Sequence, residues 1–461
     1  MKRKITLLAL AVFLVLSVFA FSSCFLIPDE IQFELNEDGE SYYVSNIRSG
    51  VKVADIPAEY EGKSVTAIGE KAAADCTSLT QVIIPEGVTK IGSSAFSGCN
   101  ALEQVSLPST LNTVDYDAFK DCTGLKKIEI SDIESFFKIS FDDSFSGEGN
   151  PTVYGDLYIN GEPLTELVFA KDMERIENKI KRSRYITKIV FSQESLFEIA
   201  DYAFSDFTAL ESISLPQHAK IGNLAFAGCT SLKTVVFEDE TKELLSYEIF
   251  SGCSSLERVV IPSSLKKLSR TTFATSYSYP GTAIFNIYIS DLAGWCNITL
   301  TDTYKLPVEY NLYLNEQPLT KLVIPNNVTK ISDIFSSCSS IEELYIGDNV
   351  KEIEHDAFKI CRNLKKVEIH GIENLSIKDL GDNCFENCFS LESVVIGDGI
   401  KRIPVSAFSG CDNLKSITFT DTDSWTYSHY SSSLKFDATV TDPEKNVELF
   451  KSERISCLYK K

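Results

Sequence analysis

Residues 94–108 read SAFSGCNALEQVSLP, and residues 406–420 read SAFSGCDNLKSITFT. Two segments so far apart in one chain share almost the same sequence, and such self-similarity is the mark of a repeat protein. The cysteine of this unit, which we call the anchor position, recurs mostly every 22 to 24 residues. Along the chain the anchor position holds Cys76, Cys99, Cys122, Phe207, Cys229, Cys253, Ser276, Cys338, Cys361, Cys388 and Cys411.

The residues after each anchor predict the structure of one turn. Apolar residues follow three, six and eight positions later, as at Leu102, Val105 and Leu107, and this alternation predicts a short strand. Proline then closes the strand, because it cannot continue a hydrogen-bonded ladder. A second apolar pair predicts a strand on the opposite wall, and Ala-Phe predicts a helical or 3-10 turn. Its phenylalanine should plug the core, and the clearest plugs are Phe96, Phe119, Phe226, Phe358 and Phe408.

Two inserts interrupt the series, and they resemble each other. ISDIESFFKISF begins at Ile130 and ISDLAGWCNITL at Ile289, whereas LYINGEPLTELVF begins at Leu157 and LYLNEQPLTKLVI at Leu312. The offsets are 159 and 155 residues, so we infer that a larger block was duplicated. The strand pattern without an anchor also recurs beside these inserts. Counting those repeats, the sequence predicts about 14 turns.

The repeated pattern AFxxCxxLxxVxIPxxVxxI resembles the BspA-type leucine-rich repeat family over about residues 60–420. FELNEDGESYYV from Phe33 resembles the opening hairpin of that family, and VTDPEKNVELFK from Val440 resembles its C-terminal segment. The resemblance implies a β-rich, right-handed leucine-rich-repeat solenoid with a stacked parallel sheet, short helical turns and a cap at each end. The expected divisions are a signal peptide at 1–23, a tether at 24–32, a capping hairpin at 33–65, the solenoid at 66–420 with inserts near 131–160 and 290–312, and a C-terminal cap at 421–461.

The first residues predict export and lipid attachment. Residues 2–4 are basic, residues 5–21 are almost wholly apolar, and two serines lead directly to Cys24. This order is typical of a secretory signal peptide, and the cysteine after small residues resembles the lipobox of bacterial lipoproteins. The resemblance implies that Cys24 becomes the lipidated N-terminal residue. Phe21 stands where the family usually has leucine, which leaves ordinary cleavage and an uncleaved anchor open.

The composition argues against nucleic acid as a partner and against catalysis. Sixty-five acidic residues against 44 basic ones give a formal net charge of −21, which repels nucleic acid. None of His218, His355, His370 and His429 lies in a metal-binding or catalytic motif. No cofactor, metal or enzymatic activity is therefore expected, although a triad assembled from distant turns stays open.

The cysteines are expected to be structural. Most of them stack at the anchor position, which favours unpaired buried thiols over a disulfide framework. Cys361, Cys384 and Cys388 are a weak alternative as zinc ligands, since two of the three are anchors.

The predicted binding face lies on the first strand of each turn. The position between its last two core residues should point outward, because side chains alternate along a strand. Between residues 168 and 345 this position is apolar except at Ser214. Three interpretations stay open: a binding stripe, plain β-propensity of exposed valine, or coverage by the inserts. The predicted stripe consists of Val168, Val190, Val236, Val260, Tyr288, Val323 and Tyr345.

Aromatic residues in the inserts offer alternative contact points. Core packing of the inserts is the competing interpretation for all of them. They are Phe136, Phe137, Tyr154, Tyr277, Tyr279 and Trp295.

The family resemblance also implies a function. Its members are implicated in adhesion to host matrix proteins and to other microbes, so we expect a cell-surface lipoprotein that acts as a protein-binding or adhesion module. Its partner would be a protein or glycan on a host or microbial surface, and its N-terminal lipid would attach it to the membrane. The alternative is an envelope scaffold or capture lipoprotein that serves the bacterium's own uptake or surface assembly.

Lipid attachment is directly testable. Cells expressing the chain and fed a fatty-acid analogue should label the protein, and Cys24→Ser should abolish that label. Equal labelling of both proteins would contradict the assignment.

Overall fold

The computed structural model describes residues 30–142, 149–169, 174–191, 198–273, 285–301, 309–370, 379–398, 400–429, 435–451 and 455–460. The chain forms two compact units, Met1–Glu162 and Pro163–Lys461. Short parallel strands stack in both units, and the chain makes a solenoid of about 15 turns. The predicted β-rich leucine-rich-repeat solenoid is therefore confirmed.

In each unit, the first strands of successive turns pair in parallel and form a wall, which we call the strand face, and the short strand Gln317–Pro318 joins it in antiparallel orientation. In the first unit they are β3 (Val53–Asp55), β6 (Gln81–Ile83), β8 (Gln104–Leu107), β10 (Lys127–Ile130) and β12 (Asp156–Ile159), with β13 (Glu162–Pro163) beside β12. In the second unit they are β14 (Glu166–Phe169), β16 (Lys188–Phe191), β18 (Ser212–Leu215), β20 (Thr234–Phe237), β22 (Arg258–Val260), β24 (Phe285–Ile289), β26 (Tyr310–Leu314), β27 (Gln317–Pro318), β28 (Lys321–Val323), β30 (Glu343–Ile346), β32 (Lys366–Ile369), β33 (Ser393–Ile396) and β35 (Ser416–Phe419).

The remaining strands form a second wall in each unit, and the last four of them form an antiparallel sheet. In the first unit they are β1 (Ile31–Leu35), β2 (Tyr42–Ile47), β4 (Glu59–Tyr60), β5 (Lys63–Ile68), β7 (Lys90–Ile91), β9 (Thr113–Val114) and β11 (Ser140–Phe141). In the second unit they are β15 (Arg175–Ile176), β17 (Glu198–Ile199), β19 (Lys220–Ile221), β21 (Glu243–Leu244), β23 (Lys267–Ser269), β25 (Thr299–Thr301), β29 (Lys330–Ile331), β31 (Glu352–Ile353), β34 (Arg402–Pro404), β36 (Trp425–His429), β37 (Lys435–Ala438) and β38 (Ile455–Lys460).

Helices are few and short. The α-helices of the described residues are α1 (Ile133–Lys138), α2 (Leu292–Cys296) and α3 (Pro443–Lys451). The 3-10 helices there are Pro151–Val153, Asp333–Phe335 and Val405–Phe408.

The two inserts have the same structure, which supports the inferred duplication. In each, a strand of the strand face leads to a short helix, a strand of the second wall and another strand of the strand face. The first insert runs through β10, α1, β11 and β12, and the second through β24, α2, β25 and β26. Because β12 and β26 continue the sheet without an anchor residue, the sequence undercounts the turns slightly.

The phenylalanines of successive turns stack on one another in the core. Phe96, Phe119, Phe226 and Phe358 are fully buried and Phe408 is 5% exposed, which confirms the predicted plugs. The ring centroids of Phe358 and Phe385 are 5.5 Å apart, and the rings are nearly parallel at 7°. Each ring therefore packs against the equivalent ring of the next turn, and no turn fills its own core alone.

The anchor cysteines hydrogen-bond between turns. Twelve cysteines of the described residues are buried and unpaired. The thiol of Cys122 donates to the carbonyl oxygen of Phe96 at 3.2 Å, and that of Cys361 donates to Phe335 at the same distance. Cys388, from the weak zinc alternative, donates to Phe358 at 3.2 Å. The thiol thus satisfies a buried carbonyl of the preceding turn, in addition to filling space.

The strand edges at the ends of the chain are covered. Strands β1 and β2 form an antiparallel hairpin, and β2 pairs in parallel with β5. At the other end, the fully buried Asn446 of α3 donates from Nδ2 to the carbonyl of Ile417 in β35 at 2.7 Å. Phe450 packs edge-on against Phe408 with centroids 5.2 Å apart. Unpaired strand edges invite aggregation, and the helix removes one of them.

Phe358 gives a test of the stacked core, because an exposed phenylalanine lies in the next turn. Phe358→Ala should lower the free energy of unfolding by about 3–5 kcal/mol, since it empties a buried site between two stacked rings. Phe389 is 37% exposed, so Phe389→Ala is the matched control and should lose less than about 1 kcal/mol. Denaturant unfolding followed by circular dichroism measures both. Equal losses for the two variants would refute the stacked core.

Candidate functional site

The predicted stripe lies on the outer surface of the strand face in the second unit. Val168 and Val323 are 58% and 53% exposed, and the other five residues are half-buried. The residues on either side of each stripe position along the chain point into the core. In β20, for example, Val235 and Phe237 are buried around Val236. Alternation along the strands therefore places all seven stripe residues on one surface, as the sequence predicts.

The stripe is divided among three sheets. Val168 pairs with Val190 in the first of them. In the second, Ser214, Val236, Val260 and Tyr288 are consecutive partners, and Tyr313 continues the row. In the third, Val323 pairs with Tyr345, and Glu368, Val395 and Thr418 follow.

The middle sheet is nearly free of charge on its outer surface. Its five parallel strands contribute ten outward residues, of which Arg258 alone is charged. We call these ten residues the neutral window: Ser212, Ser214, Thr234, Val236, Arg258, Val260, Asn286, Tyr288, Asn311 and Tyr313.

The neighbouring sheets of the second unit carry ion pairs at the same positions. Lys188 contacts Glu166 at 2.7 Å in one, and Lys366 contacts Glu368 at 2.5 Å in the other. Exposed pairs of this kind contribute about 0–1 kcal/mol each, because solvent screens them. The Lys188–Glu166 pair connects adjacent strands, whereas Lys366 and Glu368 lie in the same strand, and both pairs keep the surface polar. The neutral window thus interrupts a charged surface.

One cation and two aromatic rings form a stack within the neutral window. The guanidinium carbon of Arg258 lies 3.6 Å from the ring centroid of Tyr288, and Tyr313 stacks on Tyr288 with centroids 4.5 Å apart. Glu316, in the turn after β26, reaches back and accepts two hydrogen bonds from Arg258, at 2.9 and 2.6 Å. These contacts hold the stack in place across strands β22, β24 and β26.

The ion pair within this stack also shifts the pKa values of Arg258 and Glu316. The hydrogen bonds that Arg258 donates to Glu316 raise the pKa of Arg258 and lower the pKa of Glu316. Both groups therefore stay charged at neutral pH and cancel each other. The neutral window carries no net charge once Glu316 is included.

Tyr345, at the far end of the predicted stripe, lies in a more charged environment. The ammonium groups of Lys321 and Lys366 lie 4.4 and 5.4 Å from its ring centroid. Its hydroxyl donates to Glu343 at 2.8 Å. Such cation–π contacts hold the tyrosine within a cluster of mixed charge.

The insert aromatics divide between core and surface. Phe136 and Trp295 occupy equivalent positions in the two inserts, and both are buried, at 1% and 3% exposure. Core packing therefore accounts for these two. Phe137 and Tyr154 are half-buried, whereas Tyr277 and Tyr279 lie outside the described residues, as does Cys24.

A cavity of about 590 Å³ opens on the second wall of the second unit, lined by residues that include Arg270, Asp333, Glu354 and Arg402. Its charges pair with one another. Arg270 donates to both carboxylate oxygens of Asp333, at 3.0 and 2.7 Å, and Lys330 contacts Glu354 at 2.5 Å. Arg270, Asp333 and Glu354 thus already have charged partners, so the cavity is a weaker candidate than the neutral window.

The described residues contain no group of three or more His, Cys, Asp or Glu side chains arranged to hold a metal ion. Two of the four histidines contact acidic residues. His355 Nδ1 accepts from the backbone amide of Asp382 at 3.2 Å, and His370 Nε2 lies 3.3 Å from Glu368.

Sequence reasoning missed part of this site. It assigned Tyr288 to the stripe and passed directly to Val323, because β26 has no anchor residue. The signal that would have found Tyr313 is the apolar alternation of residues 310–314 and their match to the first insert. The contact between Arg258 and Glu316 joins residues 58 positions apart, and no periodic pattern indicates it.

The sequence also matches the model of a known protein family. The model of the BspA type leucine-rich repeat region matches in six copies, at residues 60–148, 152–279 and 307–435, which is more than half of the chain. The chain belongs to the BspA-type leucine-rich repeat family. No curated protein matches the sequence.

Several solved structures are similar to this BspA-type chain. A leucine-rich repeat protein from Bacteroides ovatus is 23% identical, with 86% of this chain and 94% of that chain covered and a TM-score of 0.47. A leucine-rich cell surface protein from Faecalibacterium prausnitzii is 19% identical, with 86% and 95% covered and a TM-score of 0.36. The pneumococcal vaccine antigen PcpA is 20% identical, with 85% and 92% covered and a TM-score of 0.32.

Family membership narrows the class of function. The family suggests a protein-interaction module. Leucine-rich-repeat solenoids of this family are typically not enzymes. In the part of the chain that the structure describes, every helix is too short or too polar to cross a membrane.

Proposed function

We propose that this protein is a lipid-anchored adhesion module that binds a ligand on a host or microbial surface through the strand face of its second unit. The neutral window carries the proposal. Interface cores are depleted of charged side chains and enriched in tyrosine and arginine, and this combination distinguishes them from other protein surfaces.

The neutral window shares two features with an interface core, the scarcity of charged side chains and the presence of tyrosine and arginine, and charged residues surround it. Its outward residues are Ser, Thr, Asn, Val and Tyr, with one arginine. Lys233, Glu211 and Glu257 are exposed beside it. The charge of Arg258 is already balanced by Glu316, so burying this pair against a partner leaves no unpaired charge there. Glu238, which accepts a hydrogen bond from Ser214, lies at the edge of the window.

The size of the neutral window fits the core of an interface. Five strands at about 4.8 Å spacing span about 19 Å, and four residues along each strand span about 13 Å, which gives roughly 250 Å². A stable interface buries about 800 Å² per partner. A ligand must therefore also contact the surrounding strands, which include Val168, Val190, Val323 and Tyr345.

Anchoring and location complete the proposal. The lipobox-like sequence that ends at Cys24 supports attachment to the membrane by lipid, with residues 25–461 outside the cell. The net charge of −21 supports exposure to the medium, because it keeps an exported solenoid soluble and disfavours nucleic acid as a partner.

The strand face can be tested with one combined variant. Val236, Val260, Val323 and Tyr345 are replaced together by Thr, which keeps the β-propensity of each position. Binding of the purified exported chain to an array of matrix proteins and glycans, and to intact microbial cells, should fall about tenfold or more, as expected when several interface-core side chains are truncated.

The matched control replaces outward residues away from the neutral window. Ile83→Thr with Val395→Thr makes the same kind of change on the strand face and should leave binding intact. Unchanged binding by a folded four-residue variant would show that the strand face is not the site. A partner found in the bacterium's own envelope, with no host or microbial ligand, would favour the scaffold alternative.

A further inference from the structure

The two inserts provide an internal comparison for the neutral window. Strands β10 and β12 of the first insert pair in the same register as β24 and β26 of the second, with Glu129 opposite Tyr158 and Tyr288 opposite Tyr313. The same backbone therefore occurs twice in one chain. Differences in outward side chains between the copies reflect something other than the needs of the fold.

The first copy carries the charged surface that is usual for this chain. Lys127 contacts Glu129 at 2.9 Å, and its ammonium lies 5.1 Å from the ring centroid of Tyr158. Glu129 Oε1 also accepts a hydrogen bond from the backbone amide of Gly161 at 2.7 Å.

The second copy has lost these charges. Asn286 stands at the position of Lys127, and Tyr288 stands at the position of Glu129. Asn311 replaces Asp156, and its Nδ2 donates to Asn286 Oδ1 at 3.0 Å. Two half-buried charged residues, Lys127 and Glu129, have thus become an amide and a tyrosine. Asp156 is buried at 3% exposure, and Tyr158 is retained as Tyr313.

The turn that follows β12 in the first copy and β26 in the second also differs, and here the second copy carries the charged residue. In the first copy it contains Asn160 and Gly161, with φ of 52° and 84°, and in the second Asn315 and Glu316, with φ of 50° and 66°. Glycine adopts this left-handed conformation without a steric penalty, whereas glutamate does not. Glu316, the less favourable residue for this backbone conformation, is the residue whose carboxylate holds Arg258 over the ring of Tyr288.

Resting on the proposed function, we infer that the second copy is specialised to bind an uncharged, extended protein segment on Asn286, Tyr288, Asn311 and Tyr313. Its amides offer hydrogen bonds to peptide groups, and its tyrosine edges and neighbouring valines offer apolar contact. A clamped stack also loses little conformational entropy when a partner binds.

Ring geometry favours a peptide over a glycan. A sugar ring stacks on the open face of an aromatic side chain. Arg258 covers one face of Tyr288 at 3.6 Å, and Tyr313 covers the other with centroids 4.5 Å apart. For Tyr288, the ring edge and the hydroxyl are what remain for a ligand, and these suit the side chains and backbone of a protein.

The test uses the purified exported chain with two probes, a random 12-residue peptide phage library and a glycan array. A copy-exchange variant combines Asn286→Lys, Tyr288→Glu and Glu316→Gly, which installs residues that the first copy already carries on the same backbone. Peptides selected on the unmodified protein should bind this variant about 30-fold more weakly, the loss expected for hot-spot residues. Because no net charge is involved, raising NaCl from about 0.15 to 0.5 M should change their affinity less than about threefold.

Two further variants control for folding and position. Lys127→Asn with Glu129→Gln removes charges in the first copy and should leave peptide binding unchanged. Glu316→Gly alone relaxes the turn and adds no bulk that could disrupt the sheet. It should still weaken binding about threefold or more, because Arg258 loses its carboxylate partner.

The outcomes separate this inference from the proposed function. Selected peptides that bind the copy-exchange variant as well as the unmodified protein would overturn the inference and leave the adhesion module standing. Glycans that bind in a Tyr288-dependent manner, or selected peptides that dissociate at high salt, would also overturn it. Failure of both probes to bind any part of the protein would count against the inference and the proposed function together.

Discussion

The hydrogen-bonded stacking of each turn on the next is the constraint on which the rest of this structure depends. Three inward positions of each turn serve that stacking. The backbone amide of Phe358 donates to Cys384 in the following turn at 2.8 Å, the ring of Phe358 packs on Phe385, and the thiol of Cys388 donates back to the carbonyl of Phe358. A change at any of these positions affects two interfaces at once, and phenylalanine accordingly recurs at Phe96, Phe119, Phe226, Phe358 and Phe408.

Outward positions carry no such constraint, and this is where the turns differ from one another. Other parts of the strand face carry Lys–Glu pairs at these outward positions, such as Lys188 with Glu166 at 2.7 Å. Five strands of the second unit have exchanged these pairs for serine, threonine, asparagine, valine and tyrosine. A repeat protein can vary a surface in this way without loss of fold, because each repeat contacts its neighbours alone. The duplicated insert shows the exchange most clearly, with Glu129 in one copy and Tyr288 in the other.

The sequence predicts those parts of the structure that the repeat period carries. The spacing of the repeats predicts the buried Phe96 and Phe358, the anchor positions and the outward row from Val168 to Tyr345. It does so because every turn must bury apolar residues at the same positions. The strand that holds Tyr313 was missed because it lacks an anchor. The Arg258–Glu316 clamp was missed because it depends on a turn conformation and a long-range contact. The thiol hydrogen bonds were missed because a buried cysteine and a small apolar residue give the same pattern.

Hydroxyl-radical footprinting tests the central claim most directly, because tyrosine rings react readily and the two copies carry equivalent tyrosines. The protein is oxidised free and while bound to the surface that it recognises, and peptides are compared by mass spectrometry. The account predicts that oxidation of Tyr288 and Tyr313 falls on binding, whereas oxidation of Tyr158 stays unchanged. Undiminished oxidation of Tyr288 and Tyr313 in the saturated complex would contradict it.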